Sequence, residues 1–531
     1  MARDWDTFRR HFHHWDGLGL SLDLGALDLA PDAVAAGTPA LSRALAEMAA
    51  LEAGAIANAD EGRMVGHYWL RAPALAPSPE LARAIERSHA ELEAFVAKVH
   101  AGTLTGARGT PFSDALVIGI GGSALGAQFL ARALGRGRHD RLALHFLDNT
   151  DPDGIEDILD RLAGRLDCTL CLVVSKSGGT KEIWNALALT EAAFAAAGLA
   201  LPPQAIAVTL PGSRLDHHAE SSRFLARFPL WDWVGGRTSA LSAAGLLPSA
   251  LQGADPAQLL AGAAAMDAAT RQAEPAANPA ALLALAWHAM AEGRDRRAMV
   301  VLPYKDRLEL LGRYLQQLVM ESLGKARDRA GRPVAQGLTV FGNKGTTDQH
   351  AYVQQLRDGQ DDFFVSFIEV LRDTDRPQPV VEPGATAGDY LQAFLIGTRQ
   401  ALHERGRPSL TITLADIGAR RLGGLIALFE RTVGLYAALI DVNAYDQPGV
   451  EAGKIAGAAV LALQADILAL LRRHQGPALT AGEIAAASGH ADALPTMFQV
   501  LRHLAANPEH GVSCTLADGE PLTAARYRLE S

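Results

Sequence analysis

Eight short apolar runs, each closed by a turn and followed by sequence of helical character, constrain the fold of this chain most. The first four are ALVIGIGG (115–122), LALHFLDN (142–149), TLCLVVS (169–175) and AIAVTL (205–210). The second four are AMVVLPY (298–304), LTVFG (338–342), FFVSFIEV (363–370) and LTITLAD (410–416). They are apolar throughout rather than alternating, as expected of parallel strands covered by helices on both faces. The pattern implies an α/β protein with two doubly wound parallel-sheet domains in tandem. We expect a helical N-terminal segment over 1–100 packing on the second domain, a first α/β domain over 101–255 and a second over 256–474. From about residue 475 the character changes: LTAGEIAAASG opens with a capping box of Thr480 and Glu483. A second amphipathic stretch and a hairpin-like VSCTLADGEPL follow, with Asp518-Gly519 at the turn. Residues 475–531 thus read as a small winged-helix-like tail.

With 531 residues the chain is long enough for several such cores. A net charge of −10 argues against nucleic acid or an anionic membrane as partner, and any anion must be held by a local site. The start, MARDWDTFRRHFHHWD, lacks the apolar stretch of a secretory signal, and no uncharged apolar run reaches about 18 residues. A cytoplasmic location is the expectation. Cys168 and Cys171 form a CxxC inside a strand-like run, where residues three apart point to opposite faces. With no second such pair to complete a metal site, they read as buried structural thiols, and no metal is expected. His11, His13 and His14 read as part of a solvated helix.

Two of the apolar runs end in glycine-rich loops. GIGGSALG (119–126) fits a dinucleotide fingerprint at Gly119, Gly121 and Ala124, with Asp148 where a ribose-binding acid would sit. SKSGGTKE (175–182) repeats the strand–glycine–helix design and adds the hydroxyls of Ser175, Ser177 and Thr180. The alternative is an ordinary turn and helix cap. A dinucleotide needs one such loop. Two, with Ser123 contributed by the first, suit a compact phosphate held by hydroxyls and backbone amides.

Six motifs in order, GIGGSALG, SKSGGTKE, VGGRTS (234–239), QQLVMESLGK (316–325), GNKGTTDQH (342–350) and YDQPGVEAGK (445–454), make the chain similar to the glucose-6-phosphate isomerase (phosphoglucose isomerase) family. The resemblance runs from about residue 58 to 470. It implies two sugar-isomerase (SIS) domains, a homodimer, no cofactor, and reversible conversion of D-glucose 6-phosphate and D-fructose 6-phosphate.

Helical spacing puts Gln317 and Glu321 on one face. By the resemblance Glu321 is the base that carries a proton between C2 and C1 through a cis-enediol(ate), chemistry that suits a carboxylate. Arg237 matches the guanidinium that stabilises the charge building on oxygen. His350, donated by the neighbouring subunit, acts with Lys454 in opening the sugar ring, a role suited to a group titrating near neutrality. Gly122, Ser123, Ser175, Lys176, Ser177, Thr180, Gln317 and Gln447 match positions that bind substrate. The chain departs from the family at Leu323, where a polar residue is usual, and at Pro448, where many members carry an aromatic. Three rivals remain: an isomerase of another sugar phosphate, a non-catalytic sugar-phosphate sensor with the tail as its output, and a nicotinamide-dependent oxidoreductase.

Overall fold

The computed structural model describes residues 5–29, 33–58, 61–293 and 296–530, with the side chains of 33–36, 450–452 and 454 left out. Residues Met1–Asp446 form one compact unit and Gln447–Ser531 a second.

The first unit holds two large sheets, one wholly parallel and one mixed. One is formed by Asp114–Ile118, Ala143–Leu147, Thr169–Ser175, Ala205–Thr209 and Ala226–Pro229. Their spatial order places Ala143–Leu147 at one edge, then Asp114–Ile118, Thr169–Ser175, Ala205–Thr209 and Ala226–Pro229, every pair parallel. The alternation of side chains explains the unbroken apolar runs. Leu170, Leu172 and Val174 enter one core and Cys171 and Val173 the opposite one, so neither face of the strand meets water. Cys168 lies in the turn just before this strand, and both thiols are free and buried. The fifth strand has no counterpart among the runs read from the sequence. ARFP is short, half-exposed and closed by a proline, as an edge strand tolerates.

The second sheet runs in the order Phe12–Trp15, Leu20–Ala26, Ser409–Leu414, Phe363–Val370, Ala298–Pro303 and Val340–Phe341. Its last four strands are the parallel series foreseen from the sequence. The first two are not helical. Leu20–Ala26 pairs antiparallel with Ser409–Leu414, and Phe12–Trp15 pairs antiparallel with Leu20–Ala26. The histidine cluster is therefore split: His11 ends the helix Trp5–His11, while His13 and His14 sit on the edge strand, with His14 Nδ1 2.9 Å from Ser21 Oγ. The aromatic and alternating sequence FHHW favours a pleated edge over the solvated helix expected there.

The N-terminal segment also divides its packing between the domains. Helix Ala33–Glu52 lies against Ala419–Leu439, the long helix behind the second sheet. Helix Pro79–His100 instead packs on the first domain. Its Phe95 meets Phe228 edge-on at 5.6 Å, and His100 Nε2 lies 2.9 Å from the Leu251 carbonyl. Ala419–Leu439 is long and apolar enough to cross a membrane but is almost wholly buried, so its hydrophobicity serves the core.

The second unit has its own core. Helices Ala481–Ser488 and Leu494–Ala506 and a three-stranded antiparallel sheet of Leu479–Thr480, Arg526–Leu529 and Val512–Thr515 make a winged-helix-like module. The expected capping box forms, with Thr480 and Glu483 bonding each other's backbone. The boundary lies earlier than expected. Leu463, Ile467 and Leu471, on the preceding helix Pro448–Arg473, share one cluster with Ile484, Met497, Leu501 and Tyr527. A chain truncated before residue 475 would expose those three side chains, at a cost of about 1.5–3 kcal/mol each. The truncated protein is expected to melt at lower temperature and aggregate on heating. A truncation as stable and soluble as the full chain in scanning calorimetry would overturn this assignment of the helix to the tail.

Candidate active site

Strand order fixes where a ligand can sit. In the first sheet Asp114–Ile118 and Thr169–Ser175 are neighbours, and the chain winds outward from them in opposite directions. A doubly wound sheet opens a crevice at the carboxyl ends of such a pair. GIGGS follows the first of these strands and SKSGGT the second, so topology brings both glycine loops to one place.

In the second loop Ser175 is buried, Thr180 half-buried and Ser177 exposed. The Gly178 N–H donates to Ser175 Oγ and the Gly179 N–H to Ser177 Oγ. Gly178 has φ of +65°, and a Cβ there would stand 2.6 Å from the Leu215 nitrogen. Only glycine makes this turn without displacing its neighbour. Thr180 precedes helix Lys181–Ala196, yet its side chain does not cap it. The first-turn amides of this helix are thus without a capping hydroxyl from Thr180.

Lys176 differs from the role expected of it. Its Nζ donates to the carbonyls of Val234 at 3.0 Å and Asp232 at 3.2 Å, tying the loop to the start of VGGRTS. Burial is the largest influence on this ammonium and lowers its pKa.

VGGRTS then meets the first glycine loop. A Cβ on Gly122 would fall 2.3 Å from the Gly236 backbone, so the two segments touch only because residue 122 has no side chain. Ser239 Oγ donates to the Gly122 carbonyl at 2.6 Å. Half-buried Ser123 closes the turn Gly121–Ser123 before helix Leu125–Leu134. Asp148, offered by the sequence as a ribose ligand, instead accepts from Gln128 Nε2 at 2.9 Å and faces Arg313 Nη2 at 3.3 Å.

The QQLVMES segment lies against these loops. After a short helix, Leu311–Leu315, residues Gln316–Glu321 widen into a π-helical turn rather than continuing as the regular helix read from the sequence. Such turns are rare and recur at functional sites. Gln317 still faces the glycine loop: a Cβ on Gly121 would be 3.4 Å from its Nε2. Leu323 is fully buried in the main core. The replacement of a polar residue there adds an apolar side chain to the core packing.

Glu321 is half-buried, and its Oε1 lies 3.8 Å from Arg237 Nη2. Arg237 itself is only 5% exposed. Nη1 donates to the Ala444 carbonyl at 3.0 Å and Nη2 to the Asp446 carbonyl at 2.9 Å. Desolvation pulls the Arg237 pKa down while the Glu321 and Asp446 carboxylates pull it up. A fixed guanidinium thus stands beside a carboxylate that solvent still reaches. Sequence reasoning passes over two residues here, Lys325 and Asp446, although both lie in motifs it singles out. Lys325 Nζ donates to the Glu321 carbonyl at 2.9 Å and to the Asp446 carbonyl at 3.1 Å.

His350, Gln447 and Lys454 belong to other segments of the chain. His350 is exposed on the turn Thr347–His350, and among the described residues it makes no hydrogen bond or ion pair with Glu321 or Arg237 of its own chain. The turn is set by buried Asp348, which accepts from the N–H groups of Asn343 and Lys344. Gln447 is the N-cap of helix Pro448–Arg473 in the second unit, where Pro448 takes the first helical position that suits proline. The backbone of Lys454 belongs to that helix, and its side chain lies outside the described residues.

The phosphoglucose isomerase family model matches residues 40–395 and 396–468. The chain is 54% identical over 514 residues to a glucose-6-phosphate isomerase of Citrifermentans bemidjiense, covering 97% of each chain. To that of Geobacter sulfurreducens it is 55% identical over 524 residues, covering 98% of each. Matches of this extent take in most of the tail as well as the two domains. Among solved structures, a glucose-6-phosphate isomerase from Chlamydia trachomatis superposes with a TM-score of 0.80 at 26% identity over 94% of each chain. The crevice between the two glycine loops, with the Arg237–Glu321 pair at its side, is thus found in a chain that belongs to the phosphoglucose isomerase family.

Proposed function

We propose that this site interconverts D-glucose 6-phosphate and D-fructose 6-phosphate, the aldose–ketose isomerisation of its family. The observation that carries the assignment of residues is the 3.8 Å approach of Arg237 to Glu321 next to two glycine loops at one sheet crevice. The phosphate lies on the hydroxyls of Ser123, Ser175, Ser177 and Thr180 and the first-turn amides of helix Lys181–Ala196. Gly122 admits the substrate close to the backbone, Lys176 braces the second loop, and Gln317 and Gln447 contact the sugar. Glu321 takes the proton from C2 and returns it to C1, or the reverse. Arg237 balances the negative charge of the enediolate oxygen between those two transfers.

Ring opening needs a second acid–base group, and His350 with Lys454 supplies it. Exposed on its turn and away from Glu321 of its own chain, His350 is suited to serve a second copy. Its neighbour Gln349 bonds Thr398 on helix Ala387–His403, whose outer face exposes Tyr390, Phe394 and Ile396. An apolar face beside the donated histidine fits a homodimer interface. Every step falls to a side chain, and the reaction belongs in the cytoplasm.

The reading is tested by assaying the purified protein with glucose 6-phosphate and following fructose 6-phosphate. The phosphate assignment is tested separately. Ser175→Ala combined with Thr180→Ala removes two hydroxyls, each worth about 1.5–3 kcal/mol toward a charged acceptor. Affinity for fructose 6-phosphate is expected to fall at least tenfold by calorimetry, with the affinity for unphosphorylated fructose unchanged. Equal losses for both sugars would place the phosphate elsewhere.

A further inference from the structure

Lys325 has no part in the chemistry above, yet it is built into the same site. Its side chain is only 7% exposed. The ammonium donates to the Glu321 carbonyl at 2.9 Å and the Asp446 carbonyl at 3.1 Å, and it pairs with the Asp446 carboxylate at 3.4 Å. Arg237 reaches the same Asp446 carbonyl at 2.9 Å. Two buried cations therefore converge on a single peptide oxygen. Like charges this close repel, and burial penalises both. The carboxylates of Glu321 and Asp446 offset that cost, because each lies within 4 Å of one of the cations.

The segment the cations hold is fixed from its other side as well. Tyr445 OH lies 3.3 Å from Tyr68 OH, and Asn443 Nδ2 donates to the Ala57 carbonyl at 2.8 Å. Residues 443–446 thus form a rigid rail of carbonyls. Arg237 is seated on this rail. Lys325 joins the rail to the main chain of Glu321, at the end of the turn that carries the base.

We propose that Lys325 is a positioning residue for the isomerisation: its ammonium locks the Glu321 turn to the Asp446 main chain and so fixes the spacing between the base and the Arg237 guanidinium. It touches neither phosphate nor sugar. This rests on the isomerase reading given above. Loss of the lock lets base and guanidinium drift by a fraction of an ångström to about 1 Å, a misplacement that costs on the order of 100-fold in rate.

The test uses the full-length chain. Lys325→Met and Lys325→Gln are compared with wild type for kcat, KM and fructose 6-phosphate affinity. Lys325→Cys is made in a Cys514→Ser background, since Cys514 is the exposed thiol while Cys168 and Cys171 are buried. Aminoethylation of the introduced thiol with bromoethylamine then restores an ammonium at nearly the original length. We expect kcat to fall about 100-fold in the Met and Gln variants while affinity changes less than about threefold, the split expected when only transition-state geometry is lost. We expect aminoethylation to recover most of the lost kcat. Unchanged kcat in both variants, equal losses of kcat and affinity, or no recovery on aminoethylation would each overturn the proposal. Should the Met and Gln variants fail to fold, the Lys325→Cys protein before and after modification decides alone. Absence of isomerase activity in wild type would instead strike the reaction itself.

Discussion

Glu321→Gln is expected to lower kcat by about 10³- to 10⁴-fold and to leave fructose 6-phosphate bound. General acid–base catalysis by a positioned side chain contributes roughly 10²–10⁴-fold. In the proposed reaction one carboxylate handles the proton twice, at C2 and at C1, which places the loss toward the upper end. Glutamine keeps the shape and hydrogen-bonding capacity of the side chain. The glycine loops follow strands of the first sheet and keep their own hydrogen bonds when Glu321 is changed. Binding and turnover should therefore separate: affinity by calorimetry stays within about threefold, while exchange of the C2 proton with solvent deuterium stops. Turnover within tenfold of wild type would remove Glu321 from its role as base. Because Arg237 would then face a neutral amide at 3.8 Å, the variant also tests whether the pair matters for stability. The thermal midpoint should hold, since Arg237 keeps its two carbonyl acceptors.

Arg71→Met is expected to have the largest effect on stability. The Arg71 guanidinium is fully buried and bidentate to Asp267, with Nε at 2.6 Å and Nη2 at 2.8 Å, and its third nitrogen bonds Glu430. Arg431 joins the cluster through Glu52 and lies over the Tyr68 ring, 4.8 Å from its centroid. Burial pushes the Glu430 carboxyl up to about 7, against the pull of Arg71. Removing Arg71 strands Asp267 and Glu430 in the core with a single remaining cation, and breaking a buried pair in this way costs about 3–5 kcal/mol. The network ties the N-terminal segment to helices Pro256–Thr270 and Ala419–Leu439, so the lesion is expected to loosen that junction first. Urea denaturation followed by circular dichroism reads the loss. Arg83→Met, which breaks the exposed pair with Glu80, serves as control and should leave the denaturation midpoint unchanged. Comparable midpoints for both variants would show that the buried network is not what secures the N-terminal segment.

The parts of this molecule that are legible in its sequence share a physical cause. A strand buried on both faces has to be apolar at most positions, so TLCLVVS and FFVSFIEV announce themselves without reference to anything else in the chain. A backbone turn that no side chain permits needs glycine, so the loop at Gly178 is visible too. Edge strands escape this logic. Phe12–Trp15 and Ala226–Pro229 are short and partly solvated, and only pairing with a neighbour makes them strands. The helix expected over the histidines at 13 and 14 fails for that reason.

The motif order marks Glu321, Arg237 and the hydroxyl loop as members of one site, but their assembly is a tertiary fact. Arg237 is held by carbonyls more than 200 residues away in sequence, and Lys325 by one 121 residues away. No local pattern records such contacts, because a backbone carbonyl carries no residue-specific signal. Residue order alone was enough for two series of parallel strands, two glycine loops at strand ends, and the family to which these belong. Everything else waited on folding. Strand order set the loops side by side at one crevice. Packing divided the N-terminal segment between the two domains and assigned the long C-terminal helix to the tail. The carbonyls of residues 444 and 446 fixed where the Arg237 guanidinium stands beside Glu321, because only a folded chain can bring distant peptide oxygens around a buried cation.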